Sequence, residues 1–330
     1  MSLTTYDQLR DNIASTIRDT QVASLLGSFI NLTGLEIHLF HHWSWLRRKT
    51  TFSTVASQED YNLDAEIDRI ALMRQITSPT VIREVSDFDF YRYLPNPESQ
   101  ATGNPLFYRR WEETGFATNL AAADTVYVVS SSASDGSSFT VIIEGRDSSG
   151  ERVSESLTLN GTTNVTSTTT WAASGLMRVS KSGQTTGTVS VYRTTGATLL
   201  SELEPENLAP RYKRVSLYPI PSSAITVYLE YYERYRYLVN DADVPQMDTQ
   251  WNWVLREGAL ARAWEYKQNE TLAVQHRKVF EQGLVLMRLQ DQANPGKVNI
   301  LEPRQRVQSG VLQVSDPVST TLPGYALYFP

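Results

Sequence analysis

Apolar residues recur at helical spacing near both ends of this chain and at every second residue through its middle, so two kinds of structure are interleaved. Leu9, Ile13 and Ile17 stand four apart and mark one face of a first helix, with Thr4 or Thr5 as its cap and Asp7 in its opening turn. Val22, Leu25, Leu26, Phe29, Ile30, Thr33, Ile37 and Phe40 predict a second, longer helix running up to the cluster Trp43-Ser44-Trp45-Leu46. Thr50 to Ala56 has the β-branched content of a strand, Ile67 to Ile76 reads as a turn and another strand, and Leu106 to Trp111 as a third. Ser86 is placed to cap a brief helix, Asp87 to Leu94, that stops at Pro95 and Pro97. Val215 to Tyr218 and Ile225 to Leu229 alternate as strands around Pro219-Ile220-Pro221-Ser222. Two closing helices follow. Asp248 or Thr249 caps one that carries Trp251, Val254, Leu255, Leu260, Ala261 and Trp264. Asn269 begins the other, with Leu272, Val279, Phe280, Leu284, Leu286 and Leu289, before Asn294-Pro295-Gly296.

The alternation in the middle is of another material. From Thr118 to Thr198 roughly half the residues are Ser, Thr or Gly, and the flanks, rich in Trp, Tyr, Arg and Leu, read better joined to each other than to this stretch. Its punctuation is that of hairpins. Asp135-Gly136 between Val126–Val129 and Phe139–Ile143 predicts a type I′ turn, and Asp147-Ser148-Ser149-Gly150 and Asn160-Gly161 mark further ones. Short strands at this turn spacing predict an inserted Ig-like antiparallel sandwich with Trp171 as its core plug. The fold expected is therefore α+β and multidomain: a discontinuous core of 1–117 and 199–296, the sandwich at 118–198, and an extended C-terminal arm at 297–330.

Composition narrows the function. The 330 residues carry 30 Lys and Arg against 36 Asp and Glu, a net charge of −6, with no basic run or basic helix face for tight nucleic-acid binding. The absence of cysteine removes disulfides, thiolate catalysis and Cys-ligated zinc. The N-terminus lacks the basic and apolar regions of a signal peptide, and no apolar run approaches the roughly 18 residues that span a membrane.

Candidate chemistry is sparse. His38 and His42 stand four apart with His41 beside them, but no H-E-x-x-H and no third ligand accompany them, so packing or interface roles are expected and no metal or cofactor. Asp241 and Asp243 lack the Gly and Glu of a calcium loop and fit a turn before Pro245. Glu202, Glu204 and Glu206 could pair for glycoside hydrolysis, yet beside Pro205 and Pro210 they read as a solvated linker. With no P-loop, Rossmann glycines or G-x-S-x-G, no enzyme is expected. The remaining signal is Tyr228, Tyr231, Tyr232, Tyr235 and Tyr237 interleaved with Arg234 and Arg236. Interface centres favour these residues, base stacking could use them too, and sheet packing takes a share; the acidic neighbours favour protein contact. A second contact is expected at the tip of the arm, where Tyr325, Leu327, Tyr328 and Phe329 would dock on a partner and order the arm there.

With 118–198 set aside, the chain resembles the head-to-tail adaptor, or head completion, proteins of tailed bacteriophages. Tyr6-Asp7-Gln8-Leu9 with the long helix ending in Trp43-Ser44-Trp45-Leu46 is similar to that family's opening. Tyr61-Asn62-Leu63-Asp64 with Arg69-Ile70 resembles its next segment, without the usual proline. Gly103-Asn104-Pro105, Leu217-Tyr218-Pro219-Ile220-Pro221, Leu229-Glu230-Tyr231-Tyr232 and Asp243-Val244-Pro245 continue the likeness in order, and the sandwich stands outside it. The resemblance implies a virion protein assembled in the bacterial cytoplasm. It implies a homo-oligomeric ring of about twelve copies under the portal, carrying tail components and passing double-stranded DNA without holding it. Two other readings stand beside it: a virion surface protein whose sandwich binds host carbohydrate, and an enzyme on envelope glycans.

Overall fold

The computed structural model of the chain describes residues 5–78, 80–93 and 102–292. The expectations for Pro95 and Pro97, for Asn294-Pro295-Gly296, and for the arm with Tyr325, Leu327, Tyr328 and Phe329 lie outside these residues.

Helix α1 (Tyr6–Ile17) is capped by the Thr5 hydroxyl, which accepts from Gln8 N–H, and ends where Arg18 turns left-handed at φ 51°. Asp19 then accepts from the N–H groups of Gln21 and Val22 and starts α2 (Thr20–Ala23). The single long helix expected from Val22 is broken here. Leu25 N–H bonds to Val22 at i−3 and the Ser24 hydroxyl turns back on the Gln21 carbonyl, so the i−4 ladder lapses for one turn before α3 (Leu26–Phe40).

After a short 3-10 turn the chain enters β1 (Arg47–Ser53), three residues before the strand expected from Thr50. Next come β2 (Asp60–Asn62), β3 (Ile67–Gln75), β4 (Val81–Glu84), α4 (Asp87–Tyr93), β5 (Thr102–Gly103) and β6 (Phe107–Thr114). The Ser/Thr-rich stretch supplies β7 (Val126–Ser130), β8 (Thr140–Asp147), β9 (Arg152–Thr158), β10 (Val165–Thr166), β11 (Trp171–Lys181) and β12 (Val189–Arg193). Strand β13 (Leu199–Leu203) follows at once. The rest is β14 (Tyr212–Tyr218), β15 (Ile220–Pro221), β16 (Thr226–Glu233), α5 (Asn252–Tyr266), led in by the Asp248 cap, and α6 (Glu270–Gln292).

Seven strands form one curled sheet in the order β1-β16-β3-β4-β6-β14-β2, antiparallel except where β4 lies parallel to β6 with α4 in the connection. Alternate side chains fill its concave side: Ile67, Met73, Ile82, Tyr108, Val215, Leu217, Val227, Leu229 and Tyr231. The two edges approach through side chains rather than a ladder. Tyr61 on β2 sets its ring 5.6 Å from Phe52 on β1, and its hydroxyl accepts from Val55 N–H and donates to nearby carbonyls of the same loop. The sheet is thus a half-barrel held at its mouth by one tyrosine.

The Ser/Thr-rich stretch folds as two antiparallel sheets, β10-β7-β12-β13 and β11-β8-β9, facing each other over Val126, Val128, Val141, Ile143, Val189, Val191 and a fully buried Trp171. Its first and last neighbours are partners. Thr114, ending β6, lies opposite Tyr212, beginning β14, so the chain leaves and rejoins the half-barrel on adjacent antiparallel strands. Strand β13, beyond Thr198, completes the four-stranded sheet. Gly150, at φ 86°, closes the β8–β9 hairpin as expected. Asp135-Gly136 does not make a hairpin: β7 and β8 belong to different sheets, and Gly136 is not left-handed. The buried Asp135 carboxylate instead accepts from the Ser130 hydroxyl and the N–H groups of Thr186 and Gly187, tying two loops together.

In the helical part α5 crosses α3 at Gly258, where a Cβ would lie 2.8 Å from the Phe280 ring and closer still to Thr33. Leu9, Ile13, Leu26, Ile30, Ile37, Trp43, Leu255, Leu260 and Phe280 share that core. Helix α6, begun by the Asn269 side chain, buries Ala273, Phe280, Leu284, Met287 and Asp291. Val279, Leu286 and Leu289, expected in the core, fall a quarter turn or more away from that face and are exposed.

Candidate assembly surface

The tyrosine-rich segment sits where the half-barrel meets the helices. Along β16 the side chains alternate, so Tyr231 points into the sheet's core while Tyr232 packs against the helical core with its ring 5.2 Å from His42. Beyond the strand, Tyr235 fits its ring over Gly34, the one residue type on α3 that leaves room for it, and its hydroxyl lies 3.3 Å from Asn31 Oδ1. Burial, then the neighbouring Tyr237 and Tyr6, raise its phenol well above the usual range. Asn31 accepts from Leu238 N–H and donates to the Leu238 carbonyl, so the segment is stitched to α3 along its length. Tyr231 and Tyr235 are therefore spent within the chain. Arg234, Arg236 and Tyr237 keep solvent-facing surface, and Arg236 bonds Glu233 at 3.1 Å.

The three clustered histidines are each committed to an aromatic neighbour: His38 to Tyr235, His41 edge-on to Trp43 at 5.0 Å, His42 to Tyr232. Burial lowers the pKa of His38. Among the described residues no group of three His, Asp or Glu is arranged to hold a metal. Asp243 caps its own turn by accepting from Val239 and Asn240 N–H, while the carbonyls of Asp241 and Asp243 receive the free N–H groups of Asp7 and Tyr6 at the start of α1.

Glu202 is an exposed residue of β13, while Glu204 and Glu206 lie, half-buried, on the loop that returns to β14. Leu200 and Leu203 are buried in β13, and the glutamates line a cleft of about 740 Å³ between the two-sheet unit and the half-barrel, with Asp64, Glu66 and Glu233 opposite. Burial comes first in raising the pKa of Glu204, and its hydrogen bond and repulsion with Glu206 add to it. Burial also raises Glu66, with repulsion from Glu204 and Glu233. A carboxyl pair in hydrogen-bond contact is closer than the roughly 5 Å or more that glycosidases keep between theirs. Beside the cleft, Lys181 donates to Thr185 and to the carbonyls of Glu204 and Pro205, and burial lowers its amine to about 8.

Two polar junctions that periodicity gives no sign of hold the helices. Glu36 on α3 receives Arg262 of α5 at 2.6 Å and both terminal nitrogens of Arg277 of α6, at 2.6 and 3.2 Å. Asp291 on α6 accepts from Ser44, backbone and hydroxyl, and lies 3.3 Å from His41 Nε2. Each carboxylate fixes the aromatic turn or the helix pair from a position that looks like ordinary solvated polarity in sequence.

No described helix is long and apolar enough to cross a membrane. The family model described as SU10 adaptor protein matches residues 4–139 and 143–300. The match takes in both flanks and most of the Ser/Thr-rich stretch, which the motif likeness had left outside. No curated protein is matched by the chain.

Proposed function

Since the chain belongs to the SU10 adaptor protein family of phage head–tail adaptors, structural virion components and not enzymes, we propose that it forms a ring of about twelve copies joining portal to tail and passing the genome. The family match along nearly the whole chain carries this reading. The mild negative charge suits a channel through which DNA slides, since a basic lumen would hold it. In this reading residues 1–117 and 199–296 are the adaptor core, 118–198 an Ig-like insert facing outward, and 297–330 an arm that docks through Tyr325, Leu327, Tyr328 and Phe329. Arg234 and Arg236 add rim contacts. Electron microscopy of the protein with its portal tests it: a closed ring seated on the portal is expected, and truncation after Gly296 abolishes the seating with little change in thermal stability. A protein that stays monomeric beside its portal overturns the ring.

One observation favours a second reading. Tyr127 and Tyr192 stack at 5.2 Å on the face of the four-stranded sheet away from its core, a platform a sugar ring could meet. Glycan retention by the full chain, lost in Tyr127→Ala, would support carbohydrate binding by this unit.

A further inference from the structure

The outer side of the half-barrel carries a charge that sequence order conceals. Its core side chains fill the concave side, so the residues paired with outward-facing Tyr228, Glu230 and Tyr232 of β16 point out as well. Those are Lys49 and Arg47 on β1, and Arg74 and Arg69 on β3. Strand β4 adds Arg83, beside the inward-facing Ile82. Five basic side chains from three strands thus meet on one face of a chain whose net charge is −6. Elsewhere arginines are spent on carboxylates: Arg193 on Asp124, Arg214 on Asp60 and Glu112, Arg262 and Arg277 on Glu36. On this face Arg47 is bound to Glu230, which also accepts from the Tyr228 hydroxyl at 3.1 Å. The Arg74 guanidinium lies 4.6 Å from the centre of the Tyr228 ring. Lys49, Arg69 and Arg83 are exposed and, among the described residues, have no carboxylate partner.

We infer that this face meets the phosphate backbone of double-stranded DNA. The inference takes its occupant from the genome passage proposed above and assigns the surface that the duplex touches. Three strand spacings separate β1 from β4, and four residues of β16 separate the Arg69 row from the Arg74 row, so the cations span about 14 Å by 13 Å. One strand of a duplex passes about four phosphates over that length, one for each cation without a carboxylate. Unpaired like charges repel one another in the free chain, and a polyanion laid across them removes that cost. A protein partner would need a matching row of carboxylates, whereas DNA carries the repeat in any sequence. Contacts to phosphates alone let the duplex slide, so the face slows the genome without fixing it. Beyond β4 the face ends, where Phe90 of α4 covers Arg109.

Fluorescence anisotropy of a short, labelled, mixed-sequence duplex with the full chain tests this. Wild type is expected to bind at low salt, the logarithm of its affinity falling against that of the salt concentration with a slope between about −3 and −4. Arg69→Ala and Arg83→Ala should each bring that slope toward zero by about one, and the double variant by about two. The melting temperature should stay unchanged, since both side chains are exposed. Arg178→Ala removes an exposed arginine from the two-sheet unit and should alter nothing. A duplex of unrelated sequence should bind alike. No binding at low salt, an effect of Arg178→Ala as large as that of Arg69→Ala, or a strong preference between the duplexes overturns the backbone contact. Loss of portal seating in the Arg69→Ala/Arg83→Ala variant, with no DNA binding in wild type, also overturns it and places an acidic protein on the face. Rings formed by a chain indifferent to DNA remove this contact and leave the ring, while DNA binding by a chain that never assembles removes the ring and leaves the face.

Discussion

Asp291, near the end of α6, accepts the backbone N–H of Ser44 at 3.1 Å, joining residues 247 apart in sequence. The carboxylate is almost fully buried and also takes the Ser44 hydroxyl, so it fixes the turn that stacks Trp43 on Trp45, ring centres 4.4 Å apart. Asp291→Ala leaves the Ser44 donors without their acceptor and should cost about 1–3 kcal/mol in chemical denaturation. A loss below roughly 0.5 kcal/mol would mean that water replaces the carboxylate without penalty.

Stability should fall as the acidic cleft ionises. The pKa of Glu204 is raised from its ordinary 4.5, so the folded protein holds that proton more tightly than the unfolded chain does. The fold is then favoured while the group is protonated, and that advantage is lost as pH climbs through the interval above 4.5. Glu204→Gln should therefore be more stable than wild type at pH 7, with the gap closing as the pH is brought down to about 4. Equal denaturation midpoints at both pH values would refute the crowding of these carboxylates.

The crossing of α5 over α3 leaves no room at Gly258. Alanine there should cost about 1–3 kcal/mol through overpacking against Thr33 and Phe280. Leu255→Ala and Leu284→Ala, truncating buried side chains in the same core, should cost about 2–5 kcal/mol each. Urea midpoints that move for the leucines but not for the glycine would show that α5 can shift outward.

Because Thr114 and Tyr212 are cross-strand partners, the chain between them can be exchanged for a turn. Replacing residues 115–211 by Asn-Gly should yield a tight β6–β14 hairpin and a cooperatively folding adaptor core. Loss of a cooperative thermal transition in this shortened chain would show that the half-barrel needs the two-sheet unit.

What could be read from the sequence was local. The caps at Thr5, Asp248 and Asn269 and the Gly150 turn depend on residues within a few positions, and each forms as expected. What could not be read depends on distant partners. Strand β2 has three residues, and its ladder is with β14, some 150 positions on. Asp135 resembles a turn residue because the N–H groups it binds belong to Thr186 and Gly187. The same holds for the candidate surface: the aromatic–arginine pattern of 231–236 stands out, but the notch at Gly34 that consumes Tyr235 is two hundred residues away. In α6, helical spacing gave the helix and not which of its two apolar faces meets the core.

The pairing of Thr114 with Tyr212 also decides how the molecule bears load. A pull on the two-sheet unit reaches the half-barrel through two adjacent strand ends and draws them apart sideways, so the β6–β14 ladder opens one bond after another, like a zip. A pull along the strands would instead load all of those bonds at once, in shear. The unit is thus a weak handle: a sideways pull on it is released by peeling β6 from β14 before the helical core feels the force.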